Sequence, residues 1–215
     1  MKNLKKLLAL ALSITMVLSF AACEADKDSG KEDSSSKTET TTTTAEESSS
    51  DSDSSSKEDS SSEAVAQKGS IKKGVFSNGV YSIELGSDWT MNDSVSSETI
   101  AMFTHNDNSA NNINIISQNL GSQTVTVDEY KDAAISQFDS MDGYDVTDTK
   151  NVKIDGKDAC KVYLDVGSGS LKMKLIQCYI VNDSDVYVCT VTILEEDYEK
   201  LESSAEKILE SFKVL

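Results

Sequence analysis

The sequence predicts an α+β domain: an antiparallel sheet of about six to seven strands flanked by helices. Three observations predict it. From Tyr144 onward, four apolar-alternating runs follow one another through turns of two or three residues, which requires an antiparallel meander. Two other stretches carry apolar residues at helical spacing. Shorter alternating runs precede the first of them. Strands and helices that each present one apolar side must bury those sides against one another, so the elements stack in layers.

In chain order, "NGVYSIELGSDW" sets Tyr81, Ile83 and Leu85 on one side of a strand, with Asn78-Gly79 as the turn before it. "ETIAMFTH" and "NNINIISQ" are two further strands around the polar loop "NDNSANN". Thr126 followed three residues later by Glu129 forms a capping box. Behind it Val127, Tyr130, Ala134, Phe138 and Met141 share one helical face, and the helix is expected to stop at Gly143. Asp155-Gly156 is a strong hairpin signal. The next hairpins turn at Ser168-Gly169-Ser170 and at Asp183-Ser184. The chain closes with a helix whose stripe is Tyr198, Leu201, Ala205, Ile208, Leu209 and Phe212.

The domain occupies 69–215, 147 residues with 24 acids against 12 lysines. Arginine is absent from the whole chain. Phosphate recognition relies on clustered positive charge and guanidinium forks, so nucleic acid is not an expected partner. Residues 24–68 are serine, threonine and acid, with a net charge of −8 and almost nothing apolar to bury. Such a segment cannot offset its ordering entropy and is expected to be a disordered linker. Flexible-coil scaling gives it a reach of roughly 35–40 Å.

Residues 1–22 begin with Lys2, Lys5 and Lys6 and continue through an apolar run from Leu7 to Phe20 to Ala21-Ala22. That run is shorter than the ~20 residues a membrane span needs, and the arrangement is that of an export signal. Cys23 follows directly. "FAAC" resembles the bacterial lipoprotein signal, with Phe20 where leucine is usual. The resemblance implies cleavage before Cys23, a diacylglyceryl-modified cysteine (palmitate being a typical acyl group) and anchorage on the outer face of the cytoplasmic membrane. One acyl chain holds a protein marginally, whereas two hold it stably, at ~0.8 kcal/mol per buried CH2.

The domain itself resembles the Mog1/PsbP-like superfamily of α/β/α sandwiches. The residues that carry this are "VYSIELGSDW" with Tyr81 and Trp89, the helix "VDEYKDAAISQF", and "LIQCYIVNDSDVYVCTVTI" with Gln177, Tyr187 and Thr190. Ser211-Phe212-Lys213 completes the set. The chain departs from the family in having no proline; Gly86 stands in the turn before Trp89. The resemblance implies a non-catalytic binding or assembly role.

Catalytic motifs are weak. His105 is the only histidine and, beside a polar loop, is expected at the surface. "GSGS" at 167–170 lacks the strand–helix context of a nucleophile elbow or phosphate loop. "HNDNSANN" lacks the spaced carboxylates of a calcium loop. No cofactor or metal is expected. A two-residue loop at Asp183-Ser184 places Cys178 opposite Cys189. A three-residue loop at Ser168 to Ser170 places Cys160 opposite Cys178. All three thiols then form one row beside Val162, Leu164, Ile176, Ile180, Tyr187 and Val191, as buried thiols or with one disulfide, Cys178–Cys189 or Cys160–Cys178.

Two functions are consistent with these features. One is a lipid-anchored envelope domain that binds or scaffolds, its partners being the membrane and an envelope protein or polymer. The other is a carboxylate-based enzyme or small-ligand carrier with a pocket between sheet and helix. Two close carboxylates of raised pKa in a cavity mark the second. A filled core with one exposed apolar patch marks the first.

Overall fold

The structure, a computed structural model, describes residues 68–97 and 100–215. The signal, Cys23 and all of the linker but Lys68 lie outside the described residues. In chain order the elements are β1 (Ser70–Lys72), β2 (Val75–Ser77), β3 (Tyr81–Glu84), β4 (Trp89–Met91), β5 (Ile100–His105), β6 (Asn112–Asn119) and helix α1 (Val127–Phe138). There follow β7 (Tyr144–Ile154), β8 (Lys157–Ser168), β9 (Leu171–Asn182), β10 (Asp185–Leu194), a short 3-10 turn (Glu195–Asp197), helix α2 (Tyr198–Glu210) and β11 (Lys213–Val214).

These strands form two antiparallel sheets rather than one. Seven assemble in the order β4-β5-β6-β10-β9-β8-β7, and four in the order β1-β2-β3-β11. The large sheet has the expected number of strands but not the expected members. The strand through Tyr81 belongs to the small sheet, where β11 pairs with it, and Trp89–Met91 takes its place in the large one. Gly86, with φ of +74°, reverses the chain between the two. The β1–β2 hairpin was not evident from sequence, because its strands are three residues long and its turn is Lys73-Gly74, both at positive φ.

The result is mostly sheet. Helix α1 packs over β7, β8 and β9 on one face of the large sheet. The other face is covered by α2 together with the small sheet, so a three-layer α/β/α sandwich describes the molecule only loosely. Two apolar interiors result. The α2 side collects Phe76, Tyr81, Phe103, Tyr187, Leu209 and Phe212 with the inward residues of the central strands. The α1 side collects Tyr130, Ala134, Phe138, Val162, Leu164 and Tyr179.

Helix α1 starts as expected. The Thr126 hydroxyl accepts from the Glu129 N–H at 3.2 Å, and the Glu129 carboxylate accepts from the Thr126 N–H at 3.0 Å. It ends earlier than Gly143, with Asp139 as its cap. Gly143 instead forms the entry to β7 at φ +83°. Its carbonyl accepts the Gly167 N–H, and a Cβ there would lie 2.3 Å from the Gly167 oxygen. Only glycine fits that approach. Met141 still packs under the helix although it lies beyond the last turn.

Two of the three long hairpins have the expected register. Asp155 and Gly156 both adopt positive φ, as a two-residue turn matched to strand twist requires. Asp183-Ser184 sets Cys189 opposite Cys178. The β8–β9 hairpin differs: its loop is Gly169-Ser170 alone, with Ser168 opposite Leu171. Cys160 therefore faces Tyr179, and Lys161 faces Cys178. Because side chains alternate along a strand, this one-residue slip moves Cys160, Val162 and Leu164 to the α1 side. Cys178, Cys189, Ile176, Ile180, Tyr187 and Val191 remain on the α2 side.

Candidate functional site

On the α2 side, Tyr81, Tyr187 and Phe212 meet as one aromatic cluster, with centroids 5.2 to 5.6 Å apart. Trp89 lies in the same interior, edge-on to His105 at 5.0 Å. Tyr81, Trp89, Tyr187 and Phe212, all carried by the family resemblance, thus share one interior as packing groups. Gln177 does not join them. It lies on the opposite face of β9, where its carboxamide oxygen accepts a hydrogen bond from the Tyr179 hydroxyl.

His105 is buried rather than exposed. Strand alternation puts it on the inward side with Ala101 and Phe103, and the Asp107 N–H donates to its Nδ1 at 3.3 Å. The oxygen-rich loop beside it is internally engaged. The Asn111 and Asn108 carboxamides donate to Asp197 at 2.7 and 3.2 Å, and Asn111 Oδ1 accepts the Leu194 N–H at 2.8 Å. These bonds tie the β5–β6 loop to the start of α2.

The three domain cysteines are free and buried. Only Cys178 and Cys189 share a face and a register position, so Cys160 opposes no other cysteine. Burial pushes the Cys178 thiol up to about 12 and the Cys189 thiol well above the ordinary value. Burial also raises Cys160, against the pull of Lys131. The thiolate is the nucleophile and the metal ligand, so these groups act as small apolar side chains. Among the described residues no group of three His, Cys, Asp or Glu side chains is placed to hold a metal ion.

Lys161 is the residue that sequence reading missed on this side. Only 3% of its side chain is exposed, and its ammonium meets Glu206 at 2.5 Å and Glu210 at 2.9 Å on α2. Tyr163 donates to the other Glu206 oxygen at 2.6 Å. Burial works against the Lys161 charge, but hydrogen bonds to the two glutamates outweigh it and raise its pKa. Burial likewise opposes ionisation of Glu206, and bonds from Lys161 and Tyr163 overcome it and lower the carboxyl. The cluster clamps α2 onto β8. A lysine two residues from Tyr163 in an apolar-alternating run was the available signal, but it depended on the correct register.

Beside the N-terminus of α1 lies a cleft of about 500 Å³ lined by Val125 to Asp128, Asn151, Val152, Asp158, Ala159 and Val181. Asp128 is held below the ordinary carboxylate range by its hydrogen bond to Lys131 and by that lysine's charge, with a further bond from Asn151. The Thr126 N–H and hydroxyl do the same for Glu129. All displaced carboxyl groups among the described residues are thus displaced downward. They are acceptors at neutral pH and not proton donors. Among the described residues the exposed large apolar side chains are only Val75 and Leu215, so the single apolar patch expected of a docking surface is not present among them.

No family model matches the chain, and no curated protein matches it. Among solved structures, it is similar to cyanobacterial PsbP (CyanoP) from Synechocystis, with a TM-score of 0.51 and 15% identity, over 63% of this chain and 86% of that one. It is also similar to LpqN of Mycobacterium tuberculosis, described as involved in cell envelope biogenesis, with a TM-score of 0.47, 12% identity and coverage of 62% and 82%. The Ran-binding protein Mog1p of Saccharomyces cerevisiae gives a TM-score of 0.47 at 7% identity, over 63% and 90%. The first likeness establishes that the domain has a PsbP-like fold. At these identities the likeness is one of architecture alone.

Proposed function

We propose that the chain is a cell-envelope lipoprotein, anchored through Cys23 and carrying a non-catalytic binding domain on an acidic tether. The anchor is supported by the junction "FAAC", a positive start, a short apolar run and a polar segment beginning at the modified position. The non-catalytic role is supported by the downward displacement of Asp128, Glu129 and Glu206, which leaves none of these three poised to deliver a proton. The alternative pocket enzyme would need such a donor in the cleft beside α1, where Asp128 is already paired with Lys131 at 2.6 Å.

Labelling cells with a radioactive palmitate tracer tests the anchor. Label is expected on the native chain and none on Cys23→Ala, which is expected in the soluble fraction. An unlabelled native chain overturns the anchor. Crosslinking on intact cells followed by capture of the tethered protein tests the binding role. Recovery of a specific envelope protein or polymer supports it, and recovery of small metabolites that the domain turns over overturns it.

A further inference from the structure

The central strands present an unusual surface on the side of α1. Asn112 lies beside Thr192, and in the next row Asn114, Thr190 and Gln177 stand in register across β6, β10 and β9. Strand alternation places no Asp, Glu or Lys of these three strands on that face, in a domain with twice as many acids as lysines. The face is therefore uncharged, its polar rows at Asn112-Thr192 and Asn114-Thr190-Gln177 lying beside the apolar row of Ile116, Val188 and Tyr179.

Four side-chain oxygens on or against this face are buried with no hydrogen-bond partner: Asn114 Oδ1, Gln118 Oε1, Thr190 Oγ1 and the Tyr130 hydroxyl. Thr190 is 2% exposed and Tyr130 1%. Native folds rarely leave such atoms unpaired, because each gives up its bonds to water and receives none in return. Here several occur together along one belt. The belt grades from half-buried residues on β6 to fully buried ones on β10 and β9, so its approach is from β6. The main contacts of α1 are with β7, β8 and β9.

The chemistry of the four atoms restricts what can complete them. The two carboxamide oxygens only accept, and the two hydroxyls accept or donate. A cation would call for carboxylates, an anion for ammonium or guanidinium groups, and an apolar ligand would leave all four unpaired. A neutral molecule rich in hydroxyl donors satisfies them.

We propose that this belt binds a neutral saccharide, with Asn114, Gln118, Thr190 and Tyr130 as its hydrogen-bonding residues. The inference rests on the binding role proposed above and names its ligand class and site. Free sugar and envelope polymer share this chemistry, and titrants of different length separate them.

The test is calorimetric titration of the full chain with N-acetylglucosamine, chitotetraose and maltotetraose, with side-chain amide signals followed by NMR. At least one titrant is expected to bind saturably and to shift the Asn114 and Gln118 amides. Binding of the single sugar points to a carrier, and binding of the tetrasaccharides alone points to a polymer reader. Thr190→Val is expected to weaken binding about tenfold, the scale of one hydrogen bond to a buried group. Its unfolding midpoint should hold or rise, because a methyl replaces an unpaired hydroxyl at constant shape. Asn114→Ala, at a half-buried position, provides the second variant. Absence of saturable binding by all three titrants overturns the proposal, as does binding that both variants leave unchanged. A protein captured by crosslinking when no saccharide binds defeats this inference and leaves the binding role standing. An unacylated Cys23 defeats the anchor and leaves the saccharide test intact.

Discussion

The two interiors of the domain are built to different rules. On the α2 side, aromatic rings interlock from both sheets and from Phe212 just past the end of α2, and the main polar cluster, around Lys161, has its partners in place. On the α1 side, apolar packing under the helix gives way to a polar belt on which several oxygens have no partner. The first arrangement spends burial on stability. The second retains groups that lower stability, and a fold keeps such groups where they serve something other than cohesion.

The difference can be broken or sharpened by mutation. Phe212→Ala should have the largest effect, because the ring is fully buried and touches both Tyr81 and Tyr187. A loss of about 3–5 kcal/mol is expected in denaturant unfolding. A loss under about 1 kcal/mol would mean that the α2 side is not the stabilising interior.

Two identical chemical changes on the α1 side should then differ. Tyr179→Phe removes the donor to Gln177 and leaves a buried carboxamide oxygen unpaired, at a cost of about 1–3 kcal/mol. Tyr130→Phe removes a hydroxyl that has no partner, so its stability should be unchanged or higher. Equal losses for both would show that Tyr130 is satisfied and that the belt is less orphaned than its geometry indicates.

Thr126→Ala removes the capping box of α1 and should cost about 1 kcal/mol, with the protection of the α1 amides falling first in hydrogen exchange. The smallest expected effect concerns pH. The Glu206 carboxyl is depressed in the folded state, so its contribution is present above its unfolded value near 4.3 and is lost as pH falls through the lower folded value. Lys161 is raised, so its contribution is present below about 10.4 and is lost as pH climbs through the higher folded value. Thermal melts from pH 3 to 11 should show both limbs, and Glu206→Gln should flatten the acid one. An unaltered acid limb in that variant would remove Glu206 from the clamp.

Much of this was legible in the residues. Alternation in "NNINIISQ" and in "VYVCTVTI" marks central strands, Asp155-Gly156 and Asp183-Ser184 mark hairpins, and Thr126 with Glu129 marks where α1 begins. Each signal acts within a few residues, through steric demands at a turn or a hydrogen bond one helical turn away. The belt left a local trace too, in Asn112 and Asn114 or Thr190 and Thr192 recurring at every second position, but which face they shared with Gln177 depended on pairing.

The amino-acid order by itself determined the strand and helix segments, their caps and most of their turns, because these follow from backbone conformation and short-range periodicity. The tertiary structure decided the split into two sheets, the inward turn of His105 and the register of β8 on β9. A Gly169-centred loop closes with two residues or three at little local difference. The choice falls to distant partners: Glu206 and Glu210 waiting for Lys161 on one face, and the α1 interior receiving Cys160, Val162 and Leu164 on the other. A single-residue slip exchanges every side chain between those two environments, and only the assembled layers discriminate between them.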